Sequence, residues 1–470
     1  MNTRGKEDNV STNLKDIKTV GELMDYIPRQ TIKKIAFVLL MFWTITPIVI
    51  LGYGFFARIN DAADWVTKLN QMNKMTISWY RMLLQISFLG GFLAIVAFAK
   101  SLRDARKADF NIKSYIRERF LPISLLLMLV WTFISYIVNY IGGETSVSLV
   151  GGDYKREGLL MYLAFVGMFS CAYLVRDEKY IKLLLKTQSL VALVLSLLHL
   201  INNESINKLF GLTENSAVFL NKNHYAYYIC MSAMCALFLF VSEENSKIKQ
   251  GISLIIFAII VASLSLNGSL GPYIATASAL ISSLILGIWL SRKHLAKILL
   301  GLGVFILVTL VMNISRGHLY SDLQILGNEF YMIFAGDEDL SGIGSGRWIL
   351  WEEGINFIKE RPIFGCGPAA LSDLYEETLG MANRPHNEFI EYGAAIGIPG
   401  LIFYIIALFT YLKEFFVKRK SVTTLGLGLL CVVIAYLVSS LVGVKMYHSG
   451  AFFFMFFGLS VGVFRQTSKE

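Results

Sequence analysis

The residue best placed in this sequence to act as a general base is His386, which is followed by Asn387 and Glu388. Asparagine is a favoured helix N-cap, so Asn387 predicts a helix that begins at Glu388. A helix N-terminus has unpaired N–H groups and a positive dipole end, which favour a neutral imidazole and a bound anion nearby. Neutral imidazole is the form that accepts a proton. The alternative is a histidine that only caps the helix or packs at a membrane interface.

Arginines in the same part of the chain indicate an anionic ligand. Arg384 lies two residues before His386, and Arg347 precedes Trp348 in a stretch with the pattern of an amphipathic helix. A guanidinium binds phosphate through paired hydrogen bonds, so both arginines are candidates for holding a diphosphate. For each of them, a position among lipid headgroups or in solvent is the alternative.

Glycines lie between these two arginines. Gly365 and Gly367 alternate with Cys366 and Pro368, which is typical of a tight turn. Glycine allows positive φ and lets the backbone approach a ligand closely. A plain loop between two helices would have the same sequence, so both interpretations stay open.

Two upstream segments have similar features. Lys155 and Arg156 could reach a phosphate, and Asn223 and His224 stand at the start of an apolar stretch. Basic residues at a membrane boundary are also common anchors. His224 is a weaker base candidate than His386 because fewer cations flank it.

Other polar features give weaker signals. The acidic run 337–339 could bind a cation, but consecutive residues do not share one helical face, so a solvated turn is favoured. Asn267 and Ser269 interrupt two apolar stretches, which is typical either of a lined cavity or of a short turn. Lys186 stands inside an apolar stretch, and no role is assigned to it.

The composition is that of a membrane protein. Of the 470 residues, 55% are hydrophobic and only 16% are charged, and the mean hydropathy is +0.56. Stretches of about 20 mostly apolar residues can span a membrane. They occur at roughly 35–56, 80–99, 120–140, 158–175, 181–201, 224–241, 251–266, 269–290, 297–313, 393–412, 423–442 and 450–464. We therefore predict an all-α, polytopic integral membrane protein with about twelve transmembrane helices.

Lysines and arginines are concentrated in alternate predicted loops, around residues 100–119, 292–297 and 413–420, and in the first 34 residues. The positive-inside rule assigns these segments to the cytoplasmic side. The net charge of +9 then reflects topology and not nucleic-acid binding. Both termini are predicted to be cytoplasmic.

This topology divides the chain into five segments. We predict a cytoplasmic N-terminal segment, nine spans, a large extracytoplasmic loop, three more spans and a cytoplasmic tail, at residues 1–34, 35–313, 314–392, 393–464 and 465–470. The loop is far longer than an ordinary connection, which indicates either function or disorder. Amphipathic stretches at 346–361 and 369–380 favour an ordered helical cap.

Taken in chain order, these motifs resemble the O-antigen polymerase and O-antigen ligase superfamily, polytopic membrane enzymes of surface-polysaccharide assembly. The resemblance covers roughly residues 150–412. Its motifs are Arg156-Glu157-Gly158, Asn221-Lys222-Asn223-His224, Arg347-Trp348, Pro362-x-x-Gly365-x-Gly367, His386-Asn387 and Gly397-x-x-Gly400. The chain departs from the pattern at Asn267-Gly268-Ser269, where many relatives have an arginine. If that arginine binds phosphate in relatives, another cation must do so here.

The resemblance implies glycosyl transfer outside the cytoplasm, at a bacterial inner or plasma membrane. The donor would be an oligosaccharide on an undecaprenyl diphosphate carrier, and the acceptor a hydroxyl of a glycan or lipid. His386 would be the base, Arg347 and Arg156 would hold the diphosphate, and Arg384 joins them because it lies near His386. The supporting residues would be Asn387, Gly365, Gly367, Trp348, Asn223 and His224. No metal or other cofactor is expected, since cations of the protein can stabilise the leaving anion. The bilayer and other polysaccharide-assembly proteins would be further partners.

Three functions stay open. A polymerase joins one lipid-linked repeat to another, whereas a ligase moves the finished glycan to a lipid or other acceptor. We favour a polymerase because the chain has no extra domain for a protein acceptor. A transporter of lipid-linked sugar also fits about twelve helices, but a transporter usually has its site at the membrane midplane between related halves.

Overall fold

The computed structural model describes Thr19, Glu22 and residues 26–57, 65–106, 111–144, 146–152, 154–213, 215–290, 294–316, 319–335 and 342–466. The acidic run 337–339, most of the predicted segment 1–34 and residues 467–470 lie outside the described residues. The described ranges consist of helices and connecting turns, with one isolated β-bridge between Thr213 and Ala217.

Seventeen helices are described along the chain. They are α1 (Arg29–Ala57), α2 (Trp65–Arg106), α3 (Ile112–Glu118), α4 (Phe120–Ile141), α5 (Leu159–Leu174), α6 (Glu178–Ile201), α7 (Glu204–Phe210), α8 (Lys222–Ser242), α9 (Lys247–Asn267), α10 (Leu270–Leu290), α11 (Leu295–Arg316), α12 (Leu319–Ala335), α13 (Ile343–Glu360), α14 (Leu371–Leu379), α15 (Glu388–Val417), α16 (Thr424–Ser440) and α17 (Tyr447–Gln466). A 3₁₀ turn, Arg419–Ser421, joins α15 to α16.

Ten of the described helices are long and apolar enough to cross a membrane, and α5 and α16 are apolar but shorter. These helices coincide with the predicted spans. The prediction of an all-α, polytopic membrane protein is confirmed. Between α11 and α15 the chain forms α12, α13 and α14. The last two coincide with the predicted cap helices, whereas the sequence pattern did not reveal α12.

Two helices form the centre of the bundle. In α17 the whole apolar window is buried, and in α8 the buried share is 94%, whereas it is 22% in α2 and in α11. A helix that is hydrophobic on all sides belongs in an interior. Aromatic rings fill this centre, as where Tyr436 stacks on Phe453 with 4.3 Å between ring centroids. The outer helices turn apolar side chains outwards, as helices do in lipid.

A break in α15 fixes the position of the cap. Gly397 has φ 76° and ψ 170°, outside helical values. A Cβ on this residue would lie 2.0 Å from the carbonyl oxygen of Ile363, so only glycine fits. The N–H of Ile398 donates to the carbonyl oxygen of Pro362 at 2.8 Å. The turn after α13 is thus seated in the break. We call the end of the bundle that carries α13 and α14 the capped end.

Candidate functional site

A pocket of about 160 Å³ lies at the capped end. Its walls come from the loop before α5, the start of α8, and the turn before α15. The lining residues are Tyr154, Lys155, Asn221, Asn223, His224, Tyr227, Asn383, Arg384, His386 and Val444. Four predicted site residues that are far apart in sequence therefore share one pocket: His386, Arg384, Asn223 and His224.

The turn that holds His386 has a defined local geometry. Asn387 is the N-cap of α15, because its side-chain oxygen accepts hydrogen bonds from the N–H groups of Phe389 (3.0 Å) and Ile390 (3.2 Å). This confirms the predicted helix start. His386 itself has φ 51°, which is unusual for a residue with a side chain. Its Nε2 lies 3.1 Å from Oδ1 of Asn383. The position of His386 is therefore fixed by the hydrogen bond to Asn383 before it and by the N-cap residue Asn387 after it.

His386 is neutral at neutral pH. Burial, followed by the charges of Arg347 and Arg384, lowers its pKa to about 4. The sequence predicted a neutral imidazole from the helix N-terminus, whereas burial is the largest cause here. An amide oxygen can only accept a hydrogen bond, so Nε2 carries the proton and donates a hydrogen bond to Oδ1 of Asn383. Nδ1 is then the basic nitrogen of the ring.

Arg384 belongs to a buried network of four charges. Its Nη1 lies 2.8 Å from Oε2 of Glu157 and 3.1 Å from Oε1 of Glu391. Lys445 reaches the same oxygen of Glu391 at 3.0 Å. Burial acts against the guanidinium charge, but the two carboxylates together outweigh it and raise the pKa of Arg384. The two positive charges and the two carboxylates balance, so Arg384 adds little net charge to the pocket that it lines.

Arg347 lies beside the pocket and not among its lining residues. It is partly buried on α13, and Nη1 donates to the carbonyl oxygen of Gly344 at 3.2 Å. Its charge acts on His386 and on Tyr227, which line the pocket. Trp348 is also partly buried and pairs with Trp351 at 6.4 Å between ring centroids.

Lys155 and Arg156 are neighbours in sequence, but only Lys155 lines the pocket. Its Nζ donates to the hydroxyl of Ser372 and to the carbonyl oxygen of Ala382 at 3.5 Å. Burial is the main cause that lowers the pKa of Lys155. Arg156 is buried, with φ 50°, and its charge acts on Tyr80. The pocket therefore contains a cation that the predicted diphosphate set did not include.

The start of α8 is braced by the polar break between α9 and α10. The hydroxyl of Ser269 donates to Oδ1 of Asn223 at 2.9 Å. Nδ2 of Asn267 donates to the carbonyl oxygens of Asn215 (2.6 Å) and Lys222 (3.1 Å). The break thus supports the pocket wall that contains His224.

The predicted glycine turn packs against a helix and not against the pocket. A Cβ on Gly365 would lie 2.6 Å from the carbonyl oxygen of Ala394. The N–H of Gly367 donates to the carbonyl oxygen of Ala395 at 2.8 Å. The close approach that Gly365 allows is to the backbone of α15, whereas a Cβ on Gly367 would lie 2.5 Å from a side-chain carbon of Val147. Both glycines support the site by seating the cap.

The residues at the site that were not predicted from the sequence include Glu391, Lys445 and His448. Glu391 and Lys445 complete the charge network, and the His448 ring lies 5.1 Å from the ring of His224. Ionisable residues within or beside an apolar stretch are costly and usually functional. That signal was present in the sequence for Glu391 and Lys445.

Residues 254–405 match a protein-family model described as O-antigen ligase. The predicted resemblance is confirmed over this segment. No curated protein matches the chain. The matched segment contains Arg347, Arg384 and His386, whereas Arg156 and His224 lie outside it. The match supports a glycosyltransferase-like activity of the O-antigen ligase or polymerase type in a multi-pass membrane protein.

Proposed function

We propose that the pocket transfers a glycan from an undecaprenyl-diphosphate-linked donor to an acceptor hydroxyl, joining repeat units into a polymer. One observation carries this proposal: His386 with a basic Nδ1 shares a pocket with Lys155, and Arg347 lies beside them. A base near cations is what a transfer with a diphosphate leaving group requires.

The reaction makes one bond and breaks one. The acceptor oxygen attacks the anomeric carbon of the donor, and the bond from that carbon to the diphosphate oxygen breaks. The proton of the acceptor hydroxyl passes to Nδ1 of His386. Undecaprenyl diphosphate leaves as an anion, which Lys155 and Arg347 stabilise. Base catalysis by a positioned histidine is worth about 10²–10⁴-fold.

The bound donor itself improves the base. In the free protein, burial and two arginines hold the pKa of His386 at about 4, which makes Nδ1 a weak base. A diphosphate beside these cations offsets their charge, so the pKa of His386 rises towards its usual value. The histidine thus becomes a stronger base when the donor is present. Arg156 and Arg384 stay predicted contacts of the diphosphate, with Arg384 mainly ordering the turn.

The proposed orientation puts the capped end outside the cytoplasm of a bacterial cell, with both termini inside. The predicted segments, with spans at 35–313 and 393–464 around the loop 314–392, follow from this orientation. The lysine and arginine bias of alternate loops supports it. Cysteine labelling from outside intact cells tests it, with Ser372→Cys on the cap expected to react and Lys420→Cys expected to be protected.

A complementation experiment tests the function. A strain that lacks its glycan polymerase would express wild type, His386→Ala, Arg347→Ala or the control His294→Ala, which lies between α10 and α11 at the opposite end. We expect both site variants to be inserted normally, His386→Ala to give no polymer, Arg347→Ala to give much less polymer than wild type, and His294→Ala to behave as wild type.

The glycan pattern separates the alternatives. If the variants still attach single repeats to their acceptor, the activity that they have lost is that of a polymerase. Long glycan that accumulates on the carrier indicates a ligase. Normal glycan in His386→Ala and Arg347→Ala at equal expression would contradict the proposal and favour transport of lipid-linked sugar.

A further inference from the structure

A group of aromatic side chains lies directly beneath the pocket, with His448 at its centre. The His448 ring centroid is 4.6 Å from that of Tyr447, 5.1 Å from that of His224 and 5.3 Å from that of Trp79. Tyr80 packs edge-on against Tyr447 at 5.5 Å. These five residues come from α2, α8 and α17. We call them the aromatic floor.

The aromatic floor contains polar atoms that are buried without a hydrogen-bond partner. They are Nε1 of Trp79, the hydroxyl of Tyr80, Nδ1 of His224 and both ring nitrogens of His448. All four side chains belong to residues that are at most 4% exposed. Buried polar atoms are nearly always paired, because an unpaired one loses its hydration without compensation. Such a concentration in one place indicates that a ligand supplies the missing partners.

The floor adjoins the pocket at two points. His224 belongs to both, since it lines the pocket and contacts His448. On the opposite wall, Tyr154 lines the pocket, its hydroxyl is buried without a partner, and it acts electrostatically on Tyr447. The floor and the pocket therefore share His224 and are also linked through Tyr154.

The chemistry of the floor selects the ligand class. Its aromatic faces offer apolar contact, and its indole, imidazole and phenol groups donate and accept hydrogen bonds. None of the five residues is a lysine, arginine, aspartate or glutamate, and Arg156 acts on two of them, Tyr80 and Tyr447, so the floor offers a diphosphate less positive charge than the rim with Lys155 and Arg347. A lipid chain would leave the polar atoms unpaired. A sugar ring, with an apolar C–H face and several hydroxyls, matches both properties.

We propose that the aromatic floor binds the sugar residue next to the diphosphate of the donor, below Lys155 and His386. This inference rests on the proposed function, because it takes the pocket to hold the diphosphate. It divides the donor between two regions: the rim with Lys155 and Arg347 holds the diphosphate, and the aromatic floor recognises the sugar. The floor residues would then decide which sugar the protein accepts.

Binding of a free saccharide tests the proposal. The probe is the oligosaccharide that mild acid releases from the cell's own lipid-linked repeat units, which lacks the diphosphate. Thermal unfolding of the full chain in detergent is measured with and without this probe, for wild type, Tyr80→Phe and Tyr404→Phe. Tyr404 is a matched control, because its hydroxyl is also buried without a partner and its ring contacts Phe389 and Tyr392 on α15.

Each substitution removes one buried, unpaired hydroxyl, so without the probe we expect both variants to unfold at or above the wild-type temperature. With the probe, we expect the dissociation constant of Tyr80→Phe to rise about tenfold, and that of Tyr404→Phe to stay unchanged. Trp79→Phe, which removes the indole N–H, is expected to weaken binding in the same way. Equal affinity in all variants, or no binding by wild type, would overturn the inference.

The same variants separate this inference from the proposed function. His386→Ala should bind the probe although it makes no polymer. Polymer loss in His386→Ala without any saccharide binding by wild type would refute the sugar site alone. Normal polymer in His386→Ala together with weaker binding in Tyr80→Phe would refute the transfer mechanism and leave the sugar site standing.

Discussion

Arg384 and Glu157 form an ion pair that is enclosed by the protein, with Nη1 and Oε2 2.8 Å apart and side chains only 5% and 6% exposed. The pair joins the turn of the candidate base to the loop that precedes α5. Glu391 and Lys445 extend it to α15 and to the loop before α17. The position of His386 therefore depends on charges from four parts of the chain.

Glu157→Gln is expected to destabilise the protein. It leaves the buried network with one excess positive charge, and removal of one partner from a buried pair costs about 3–5 kcal/mol. Glu144→Gln is the control, because its pair with Arg361 (2.9 Å) has side chains 21% and 41% exposed and should contribute less than about 1 kcal/mol. The measurement is unfolding in detergent for both variants.

The double variant Glu157→Gln with Arg384→Gln checks the cause of this loss. It restores charge balance, because Lys445 and Glu391 stay paired, so we expect part of the stability to return while polymer does not. A double variant that is less stable than Glu157→Gln would show that the ion pair is not the reason.

The pH profile reports on His386. Its pKa of about 4 keeps the imidazole neutral well below pH 6.5. We expect kcat/KM, which reflects the free protein, to be constant from pH 8 to about 5 and to fall near pH 4. The fall should move to higher pH in Arg347→Ala, because a positive charge that lowers the pKa is gone. Arg361→Ala, at the far end of α13, is the control and should not move it.

The same pKa shift predicts how stability changes with pH. A histidine whose folded pKa lies below its unfolded value of 6.5 stabilises the protein above pH 6.5. This contribution is lost as the pH falls towards 4. For the pH profile of activity, a fall of kcat/KM with its midpoint at pH 6.5 in wild type would contradict the assigned environment of His386.

Lys155→Met is expected to impair donor binding. Lys155 lines the pocket, and its Nζ donates hydrogen bonds to the neutral acceptors Ser372 and Ala382, whereas Arg384 forms ion pairs with Glu157 and Glu391. Its loss should therefore raise KM for the lipid-linked donor at least about tenfold, which is 1.4 kcal/mol. Lys359→Met is the control, because Lys359 is exposed on the same cap. Equal KM values in both variants would assign the diphosphate to Arg347 and Arg156 instead.

Gly397→Ala is expected to prevent correct seating of the cap. The backbone has φ 76°, and the added Cβ would lie 2.0 Å from the carbonyl oxygen of Ile363. The backbone conformation alone costs about 1–3 kcal/mol for a residue with a side chain, and the clash adds to this. Gly52→Ala, on α1 with no atom within 4 Å of the new Cβ, should be neutral or stabilising. Proteolysis of the cap in membranes measures the difference, and equal protection would contradict the role of the break.

Features that depend on neighbouring residues could be predicted from the sequence. An apolar run of about 20 residues must form a helix in lipid, because no water is present to satisfy its backbone. That rule predicts the twelve apolar stretches that coincide with α1, α2, α4 to α6, α8 to α11 and α15 to α17. The cap of α15 by Asn387 is local in the same way. The exposed apolar side chains of α12 obscure its periodicity, so the sequence did not reveal that helix.

The tertiary structure decided which of these residues meet. Lys155 and Arg156 are adjacent in the sequence, yet only Lys155 lines the pocket. The left-handed backbone at Arg156 directs the two side chains differently. Arg384 reads as a free cation in the sequence, but carboxylates distant in the chain balance its charge. His224 meets His386 only because the helices fold together. Which charges balance and which residues line the pocket depend on contacts between segments that are distant in the chain. The spacing of residues along the chain does not reveal those contacts.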